Sequence, residues 1–124
     1  MSNEETLDFD LVIVGTGSGN SIPGPEFDHW NIAIIEKGLF GGTCLNVGCI
    51  PSKMFVYAAD VAELIRDSAT YGIQASIDEV NWPAIRDRVF GRIDPIVQGG
   101  EEYRLGAECP NITVLKGTGR LVDE

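Results

Sequence analysis

The sequence predicts an α/β fold built on a parallel sheet, and three observations support this prediction. A short apolar run at residues 11–14 is followed at once by glycines, and a second short apolar run at residues 31–35 ends in an acidic residue. Between residues 51 and 96, apolar side chains recur at helical spacing. Strands that alternate with helices indicate parallel strands joined by crossover connections.

The first predicted strand, Leu11 to Val14, is uniformly apolar, as is typical of a strand in a parallel sheet. Glycines follow it at positions 15, 17 and 19. This is the dinucleotide-binding pattern GxGxxG except at its third position, where Asn20 stands in place of glycine or alanine. Taken alone the pattern is only moderately specific, because a purely structural glycine turn is the alternative.

The second predicted strand, Asn31 to Ile35, adds the observation that the glycines lack. It ends in Glu36, which lies 21 residues after Gly15. In dinucleotide-binding folds a carboxylate at this distance accepts hydrogen bonds from the adenosine ribose. The two signals together predict a Rossmann-like, dinucleotide-binding domain.

The connection between these strands is unusual for such a domain, because a dinucleotide-binding crossover normally carries a full helix. The segment SIPGPEFDHW contains Pro23, Gly24 and Pro25, which interrupt helices. Any helix that starts near Gly17 is therefore expected to be short and to be followed by a loop.

Two longer helices are predicted after the second strand. The first runs from Pro51 to about Arg66, and Gly72 ends it or the turn beyond it. The second is capped by Asn81. Its apolar face is formed by Trp82, Ile85, Val89, Ile93 and Ile96, and its length is expected to be limited by Pro95, Gly99 and Gly100.

The last apolar runs, Ile112 to Leu115 and Leu121 to Val122, flank the sequence KGTG. Glycine-containing turns between β-branched runs predict a strand pair. The predicted sheet is therefore incomplete and ends in the start of a β-meander or hairpin.

The segment GGTCLNVGCIPSK, residues 41–53, has the signature of a redox-active disulfide between Cys44 and Cys49. Residues five apart in a regular helix have Cα atoms roughly 8.6 Å apart, whereas a disulfide needs about 4.4 to 6.8 Å. The backbone must therefore bend, and Gly48 is expected to permit this through a positive φ or a tight turn. Pro51 can begin a helix, so the sulfurs would lie at a helix N-terminus, which lowers the pKa of a thiol.

These residues resemble the N-terminal part of the flavoprotein disulfide reductases, the class I pyridine nucleotide-disulfide oxidoreductases. GGTCLNVGCIPSK is highly specific for this family. Within it, GTGSGNSI and CIPSKMFVYAADVA are most similar to the mycothiol disulfide reductases and related low-molecular-weight thiol reductases. Members of the family are usually several times longer, so the chain is expected to be a fragment.

The resemblance implies a role for each candidate residue. Electrons would pass from NADPH or NADH through FAD to the disulfide, with Cys49 nearer the flavin, Cys44 attacking the substrate disulfide and Lys53 beside the flavin N5. The candidate FAD-binding residues are Gly15, Gly17, Ser18, Gly19, Glu36, Lys37, Gly42, Thr43 and Lys53.

The resemblance also implies what lies elsewhere in the protein. Residues 1–124 correspond to the N-terminal part of an FAD-binding domain, and the NAD(P)H-binding and dimerisation domains are absent. The full-length form is expected to be a homodimer that reduces a small-molecule disulfide, with its catalytic base in a distant segment. His29 is therefore not expected to be catalytic, and Cys109 is expected to be a structural thiol.

Composition narrows the class of protein. The 44% hydrophobic content argues against a disordered chain. A net charge of −10 argues against nucleic-acid binding, which needs a basic face. The charge is compatible both with an ordinary acidic surface and with adaptation to high salt. No run reaches the length of a membrane span, and the acidic start MSNEETLDFD does not resemble a secretory signal, so a cytoplasmic protein is expected.

Three functional alternatives stay open at this stage. The first is a disulfide oxidoreductase, whether of the mycothione-reducing or the dihydrolipoamide dehydrogenase type. The second is a truncated flavin-binding fragment without catalytic activity. The third is a metal-thiol module, which is disfavoured because zinc needs about four ligands and neither His29 nor Cys109 lies near the cysteine pair in sequence.

Overall fold

The computed structural model describes residues 6–123. Residues 1–5, the first half of the acidic segment MSNEETLDFD that does not resemble a secretory signal, lie outside the described residues. The chain divides into two compact units. Within the described residues, the first comprises residues 6–42 and 97–123, and the second comprises residues 43–96.

The first unit contains a three-stranded parallel sheet. Its strands are β1 (Leu11–Val14), β2 (Ile32–Glu36) and β3 (Ile112–Lys116), in the spatial order β1-β2-β3. Leu11 is aligned with Ile32, and Ile32 with Ile112. The predicted α/β class with an incomplete, Rossmann-like parallel sheet is confirmed.

The core of this sheet is formed by isoleucines. Ile13, Ile32 and Ile34 are buried, and partly buried apolar residues pack against them, namely Leu11, Phe27, Trp30 and Ile112. The uniformly apolar first strand predicted burial on both faces, but Val12 and Val14 are 48% and 63% exposed. Alternate side chains of a strand point to opposite faces, so in the described residues only one face of β1 is covered.

The connection between β1 and β2 contains only short helical turns, as predicted. It contains two 3₁₀ turns, Ser18–Ser21 and Pro25–Phe27, and no α-helix. Pro25 occupies the first position of the second turn, where its missing N–H costs no hydrogen bond. A 3₁₀ turn of four residues has little macrodipole, so the glycine loop here offers backbone amides without the N-terminus of a full helix.

The predicted strand pair at the C-terminal end is wrong. β3 forms, but it joins β2 in parallel, and residues 117–123 contain no strand. The reason is the direction of the chain after Lys116. A Cβ on Gly119 would lie 3.2 Å from Val14 Cγ1 and 3.4 Å from Ile35 Cδ1, so the chain crosses over β1 and β2 instead of returning along β3.

The second unit is helical. It contains most of α1 (Gly42–Val47), all of α2 (Cys49–Asp67), and a 3₁₀ turn at Ser68–Tyr71. Gly72 ends that turn in a left-handed conformation with φ of 76°, as the sequence predicted. Phe55 stacks on Trp82 with ring centroids 5.2 Å apart, and its ring also meets Phe90 edge-on.

The third helix, α3 (Trp82–Leu105), is longer than predicted. Asn81 caps it as expected, because Asn81 Oδ1 accepts a hydrogen bond of 3.0 Å from the Ala84 amide. The helix then continues through Pro95 and the two glycines that were expected to end it. Tertiary contacts outweigh the missing proline hydrogen bond, since Val97 and Arg104 beyond the proline are buried.

The predicted apolar face of α3 is only partly buried. Val89 and Ile93 are buried and Ile85 is half-buried, whereas Trp82 and Ile96 are each 57% exposed.

Candidate functional site

The glycine loop after β1 has a backbone that explains its composition. Gly15 adopts φ of 91°, a conformation that side chains disfavour, and its amide donates a 2.7 Å hydrogen bond to Ile35 O. A Cβ on Gly19 would lie 3.2 Å from Ile13 Cγ2. The loop therefore begins at the end of the sheet and stays close to its surface.

Glu36, at the end of β2, is held by this loop. Its Oε2 accepts hydrogen bonds from the Thr16 amide (2.9 Å) and the Thr16 hydroxyl (2.6 Å). Its Oε1 accepts one from the Gly38 amide (2.8 Å). Glu36 as a whole is only 8% exposed, so these donors replace most of the water that would otherwise solvate its carboxylate.

Two opposing effects set the pKa of Glu36. Burial raises the pKa. Hydrogen bonds from the Thr16 hydroxyl and from the amides of Gly38, Thr16 and Lys37 lower it, and together they outweigh the effect of burial. The net result is a pKa below the ordinary value, because each of these bonds favours the charged form. At neutral pH Glu36 is a buried anion that is stabilised by donors of the chain.

A second glycine contact joins the loop to the double glycine before the cysteines. The Gly41 amide donates a 3.0 Å hydrogen bond to Thr16 Oγ1. Gly42 has φ of 69°, and a Cβ there would lie 2.5 Å from Gly17 Cα. Glycine is thus required at position 42 both for its dihedral angle and for the close approach of two backbones.

A cavity of about 180 Å³ opens at the carboxyl ends of the three strands. It is lined by Val14, Gly15, Ile35, Glu36, Lys37 and residues 117–119. In open parallel sheets, ligands bind at this end of the strands. Three of the predicted site residues, Gly15, Glu36 and Lys37, therefore lie where a ligand would be expected.

In the second unit, Cys44 and Cys49 form a disulfide with Cα atoms 4.7 Å apart. Cys44 belongs to α1 and Cys49 is the first residue of α2, so the chain bends between them as the spacing required. Both cysteines are exposed. α1 was not predicted, because a helix of six residues is too short to show a helical periodicity of apolar side chains.

Gly48 permits this bend at a tight turn between α1 and α2, which is one of the two ways predicted. Its φ is −126°, so a positive φ is not the reason for glycine. A Cβ on Gly48 would instead lie 2.8 Å from Thr43 O and 3.1 Å from Cys44 Cα. The absence of a side chain lets Gly48 lie against Thr43 and Cys44 near the start of α1, which brings the two cysteines together.

Lys53 lies one helical turn after Cys49 on α2, and its side chain is exposed. It borders a groove of about 520 Å³ within the second unit, together with Met54, Val56, Tyr57, Asp60, Arg88 and Arg92. Arg88 reaches the Met54 carbonyl oxygen across this unit at 3.5 Å. The surroundings of Lys53 are therefore rich in positive charge.

Arg104 makes a contact with Asn20 that was not predicted from the sequence. Its side chain is buried, and its Nε donates a 2.9 Å hydrogen bond to Asn20 Oδ1. Its Nη1 lies 3.5 Å from the sulfur of Cys109, which is a free, buried thiol. The one signal that could have pointed to this contact was Asn20 itself, a polar residue where the dinucleotide pattern has glycine or alanine.

His29 lies in the connection between β1 and β2 and is exposed, with Nε2 accepting a hydrogen bond from the indole of Trp30. Among residues 6–123 there is no group of three or more histidine, cysteine or acidic side chains placed to hold a metal ion. Over the same residues, no helix is long and apolar enough to cross a membrane.

Comparison with known proteins identifies the family. A mycothione reductase of Mycobacterium tuberculosis is 58% identical over 108 residues, which are 87% of this chain and 23% of the relative. A dihydrolipoyl dehydrogenase of Chlamydia pneumoniae is 37% identical over 119 residues, 94% of this chain and 25% of the relative. A glutathione reductase of Nostoc sp. is 32% identical over 121 residues, 95% of this chain and 26% of the relative. The chain belongs to the class I disulfide oxidoreductase family. No protein-family model matches it.

The chain spans about a quarter of the length of the curated relatives it matches. Its predicted site residues fall into two groups. Gly15, Gly17, Ser18, Gly19, Glu36, Lys37 and Gly42 belong to the first unit, and Thr43, Cys44, Cys49 and Lys53 to the second. Within each unit, the members of a group lie near one another. Their roles toward a cofactor stay predictions.

Proposed function

We propose that this chain is the part of an FAD-dependent disulfide oxidoreductase that binds the adenosine end of FAD and carries the redox-active disulfide. The observation that carries the proposal is the exposed bond between Cys44 and Cys49 at the first turn of α2. A disulfide in an exposed position at a helix N-terminus is accessible to reduction and exchange. Its family membership favours this reading over a structural disulfide.

The chemistry assigned to the two cysteines is a balanced exchange. Two electrons and two protons convert the disulfide into two thiols. The Cys44 thiolate attacks one sulfur of a substrate disulfide, which forms a mixed disulfide and releases one substrate thiol. Cys49 then attacks the Cys44 sulfur, which restores the intramolecular disulfide and releases the second thiol.

The residues of the first unit fit an adenine dinucleotide. A bare glycine turn follows β1, and no atom lies within 4 Å of where a Cβ on Gly15 would stand. An ionised carboxylate, Glu36, borders the cavity at the strand ends. When bound, FAD would supply the transfer of two electrons from NADPH or NADH to the disulfide.

The candidate residues have separate tasks in this proposal. Glu36 accepts hydrogen bonds from the ribose, while the glycine loop and Lys37 lie along the dinucleotide. Gly42 and Thr43 allow the backbone to approach FAD, and Lys53 adjusts the charge beside the flavin. Because the first crossover contains only 3₁₀ turns, the diphosphate would be held by loop amides and not by a helix N-terminus.

The whole protein is proposed to follow the family pattern. Residues 1–124 would be the N-terminal part of its FAD-binding domain, and other segments would bind NAD(P)H and form a homodimer. A cytoplasmic location is proposed because the chemistry depends on reducible thiols. The substrate proposed is a low-molecular-weight disulfide of the mycothione type.

A second candidate, a dihydrolipoyl dehydrogenase type of enzyme, is supported by the 37% identity to that relative. The higher identity to mycothione reductase favours the first. The two are separated by the rates at which the reduced chain exchanges with mycothione and with lipoamide. Faster exchange with lipoamide would favour the second candidate.

The visible absorption spectrum of the purified chain with FAD tests the proposal. FAD should stay with the protein through gel filtration. After two-electron reduction with dithionite, a long-wavelength band should appear if Cys49 lies against the flavin. In Cys44→Ser, which cannot form the disulfide, the band should be present before dithionite is added, because Cys49 is then free to lie as a thiolate beside oxidised FAD, and two-electron reduction should remove it. In Cys49→Ser the band should be absent throughout.

Cys109→Ser is the matched control, since Cys109 is buried and is not part of the disulfide. Its spectrum should equal that of the unaltered chain. A chain that retains no FAD would contradict the proposal for these residues. FAD retention without the band in any variant would support a flavin-binding fragment without catalytic function.

A further inference from the structure

Thr16 stands between the first two glycines of the loop, and its side chain joins three segments. It is 2% exposed. Its hydroxyl donates a 2.6 Å hydrogen bond to Glu36 Oε2 and accepts a 3.0 Å hydrogen bond from the Gly41 amide. The turn after β1, the end of β2 and the double glycine before the cysteines therefore meet at one oxygen atom.

The dinucleotide pattern does not ask for this side chain, because its second position is open to any residue. The Thr16 amide also donates to Glu36 Oε2, at 2.9 Å, and almost any residue at position 16 would retain that bond. The hydroxyl contact needs serine or threonine. Its contribution can therefore be separated from that of the backbone by substitution.

The charged groups around Glu36 do not replace this hydroxyl. On β3 the register partner of Glu36 is Lys116, whose ammonium pairs with Glu101 and lies over the Phe40 ring. Lys37, the next residue in the chain, contributes a backbone hydrogen bond to the carboxylate. Within residues 6–123 no cation forms an ion pair with Glu36, so hydrogen bonds alone stabilise its charge.

We propose that Thr16 is a positioning residue for the adenosine ribose: its hydroxyl holds the Glu36 carboxylate as an anion in one orientation and ties it to the Gly41 amide. This inference rests on the function proposed above, in which Glu36 accepts hydrogen bonds from the ribose. Thr16 does not touch the ribose in this scheme. It acts by fixing the group that does.

The physical effect of losing the hydroxyl follows from the burial of Glu36. Without that donor, the buried carboxylate loses a hydrogen bond that favours its charged form, so its pKa rises. The side chain is then held only by the amides of Thr16 and Gly38, so its orientation is less restricted before it meets the ribose, which makes binding less favourable. The Gly41 amide loses its acceptor at the same time.

The test compares Thr16→Val, which has nearly the same shape without the hydroxyl, with Thr16→Ser, which keeps the hydroxyl. FAD and ADP are the probes, because both carry the ribose. Thr16→Val should weaken the binding of each by about tenfold at neutral pH, as loss of a hydrogen bond to a charged group does. Thr16→Ser should bind both as the unaltered chain does.

A second readout separates positioning from a general loss of structure. The pKa of Glu36, followed through its side-chain carboxyl carbon by NMR, should rise in Thr16→Val and return in Thr16→Ser. If Thr16→Val does not fold, Thr16→Ala takes its place in the same comparison.

Each outcome of these measurements either supports or overturns the proposed role of Thr16. Equal FAD affinity in Thr16→Val, an unmoved Glu36 pKa, or a loss for FAD without an equal loss for ADP would overturn the role of Thr16. In those cases the unaltered chain still binds FAD and the proposed function stands. If the unaltered chain binds neither FAD nor ADP, the proposed function fails and this inference fails with it.

Discussion

Arg104, near the end of α3, binds Asn20 through two hydrogen bonds. Its Nε donates to the Asn20 side-chain oxygen at 2.9 Å, and its Nη2 donates to the Asn20 backbone oxygen. The two residues are 84 positions apart in the sequence. Asn20 lies in the crossover where a dinucleotide-binding fold normally has a helix, so Arg104 ties a connection that contains only 3₁₀ turns to the end of α3.

Replacing Arg104 by methionine should destabilise the chain. The substitution keeps an apolar stem but leaves two oxygens of the half-buried Asn20 without their donors, which should cost about 1 kcal/mol, the lower end of the range for buried groups. Arg92→Met on the same helix is the control, because Arg92 is exposed. Urea unfolding followed by circular dichroism measures both variants, and equal midpoints would show that the Arg104 contact does not stabilise the crossover.

The features that the sequence predicted correctly depend on residues close to one another in the chain. The strand β2 and the Asn81 cap were predicted because each depends on neighbouring residues: an apolar run that ends in an acid, and an amide that accepts from the first helical turn. The bend between Cys44 and Cys49 was predictable for the same reason. A disulfide fixes a distance that a regular helix cannot meet.

The predictions that were wrong concern segments whose structure depends on contacts between residues far apart in the sequence. Pro95 disfavours a helix locally, yet α3 continues because Val97 and Arg104 are buried beyond it. Leu121 was expected in a strand, but the chain crosses the sheet first and leaves this side chain 95% exposed. The hydroxyl of Thr16 and its two partners could not be read from spacing, because the dinucleotide pattern leaves that position open.

Replacing Gly42 by alanine should destabilise the first unit. The residue has φ of 69°, and the new Cβ would lie 2.5 Å from Gly17 Cα and 3.0 Å from Gly17 N. The left-handed conformation alone costs about 1–2 kcal/mol for a residue with a Cβ, and the overlap with backbone atoms adds to it. Thermal unfolding should show a lower melting temperature.

Gly91→Ala is the matched control for Gly42→Ala. Gly91 lies within α3 with no atom within 4 Å of a Cβ, so alanine should stabilise the helix by about 0.5–1 kcal/mol. The two substitutions add the same methyl group and should act in opposite directions. A Gly42→Ala chain that is as stable as the unaltered one would mean that the two backbones do not approach closely in solution.

Replacing Gly48 by alanine should weaken the disulfide itself. The new Cβ would lie 2.8 Å from Thr43 O and 3.1 Å from Cys44 Cα, so α1 must move away from α2 and the two cysteines must separate. We expect the equilibrium constant for disulfide formation in a glutathione buffer to fall by at least about tenfold, equivalent to 1.4 kcal/mol. Alkylation of free thiols and mass spectrometry measure the oxidised fraction.

Gly99→Ala is the control for this experiment, because a Cβ at Gly99 has no neighbour within 4 Å. It should leave the oxidised fraction unchanged. Peptide mapping separates Cys109, which is already a free thiol, from the pair of interest. If Gly48→Ala and Gly99→Ala give equal oxidised fractions, close packing at Gly48 does not control the bond.

The buried carboxylate of Glu36 should make stability depend on pH. Its pKa in the folded chain lies below the ordinary value of 4.5. Between these two values the unfolded chain binds more protons than the folded one, so stability rises with pH. The contribution of the Glu36 charge is fully present above pH 4.5 and is lost as the pH falls through the folded-state pKa.

Glu36→Gln removes this charge and tests the direction. At neutral pH the variant should be less stable by about 1–3 kcal/mol, because its neutral amide accepts the Thr16 and Gly38 hydrogen bonds more weakly and its NH₂ group has no acceptor. The difference from the unaltered chain should shrink as the pH falls below 4.5, since Glu36 itself becomes protonated there. Glu63→Gln, which alters an exposed ion pair with Arg66, should change stability by less than about 0.5 kcal/mol. A stability difference between Glu36→Gln and the unaltered chain that stays constant down to full acid unfolding would contradict a lowered pKa for Glu36.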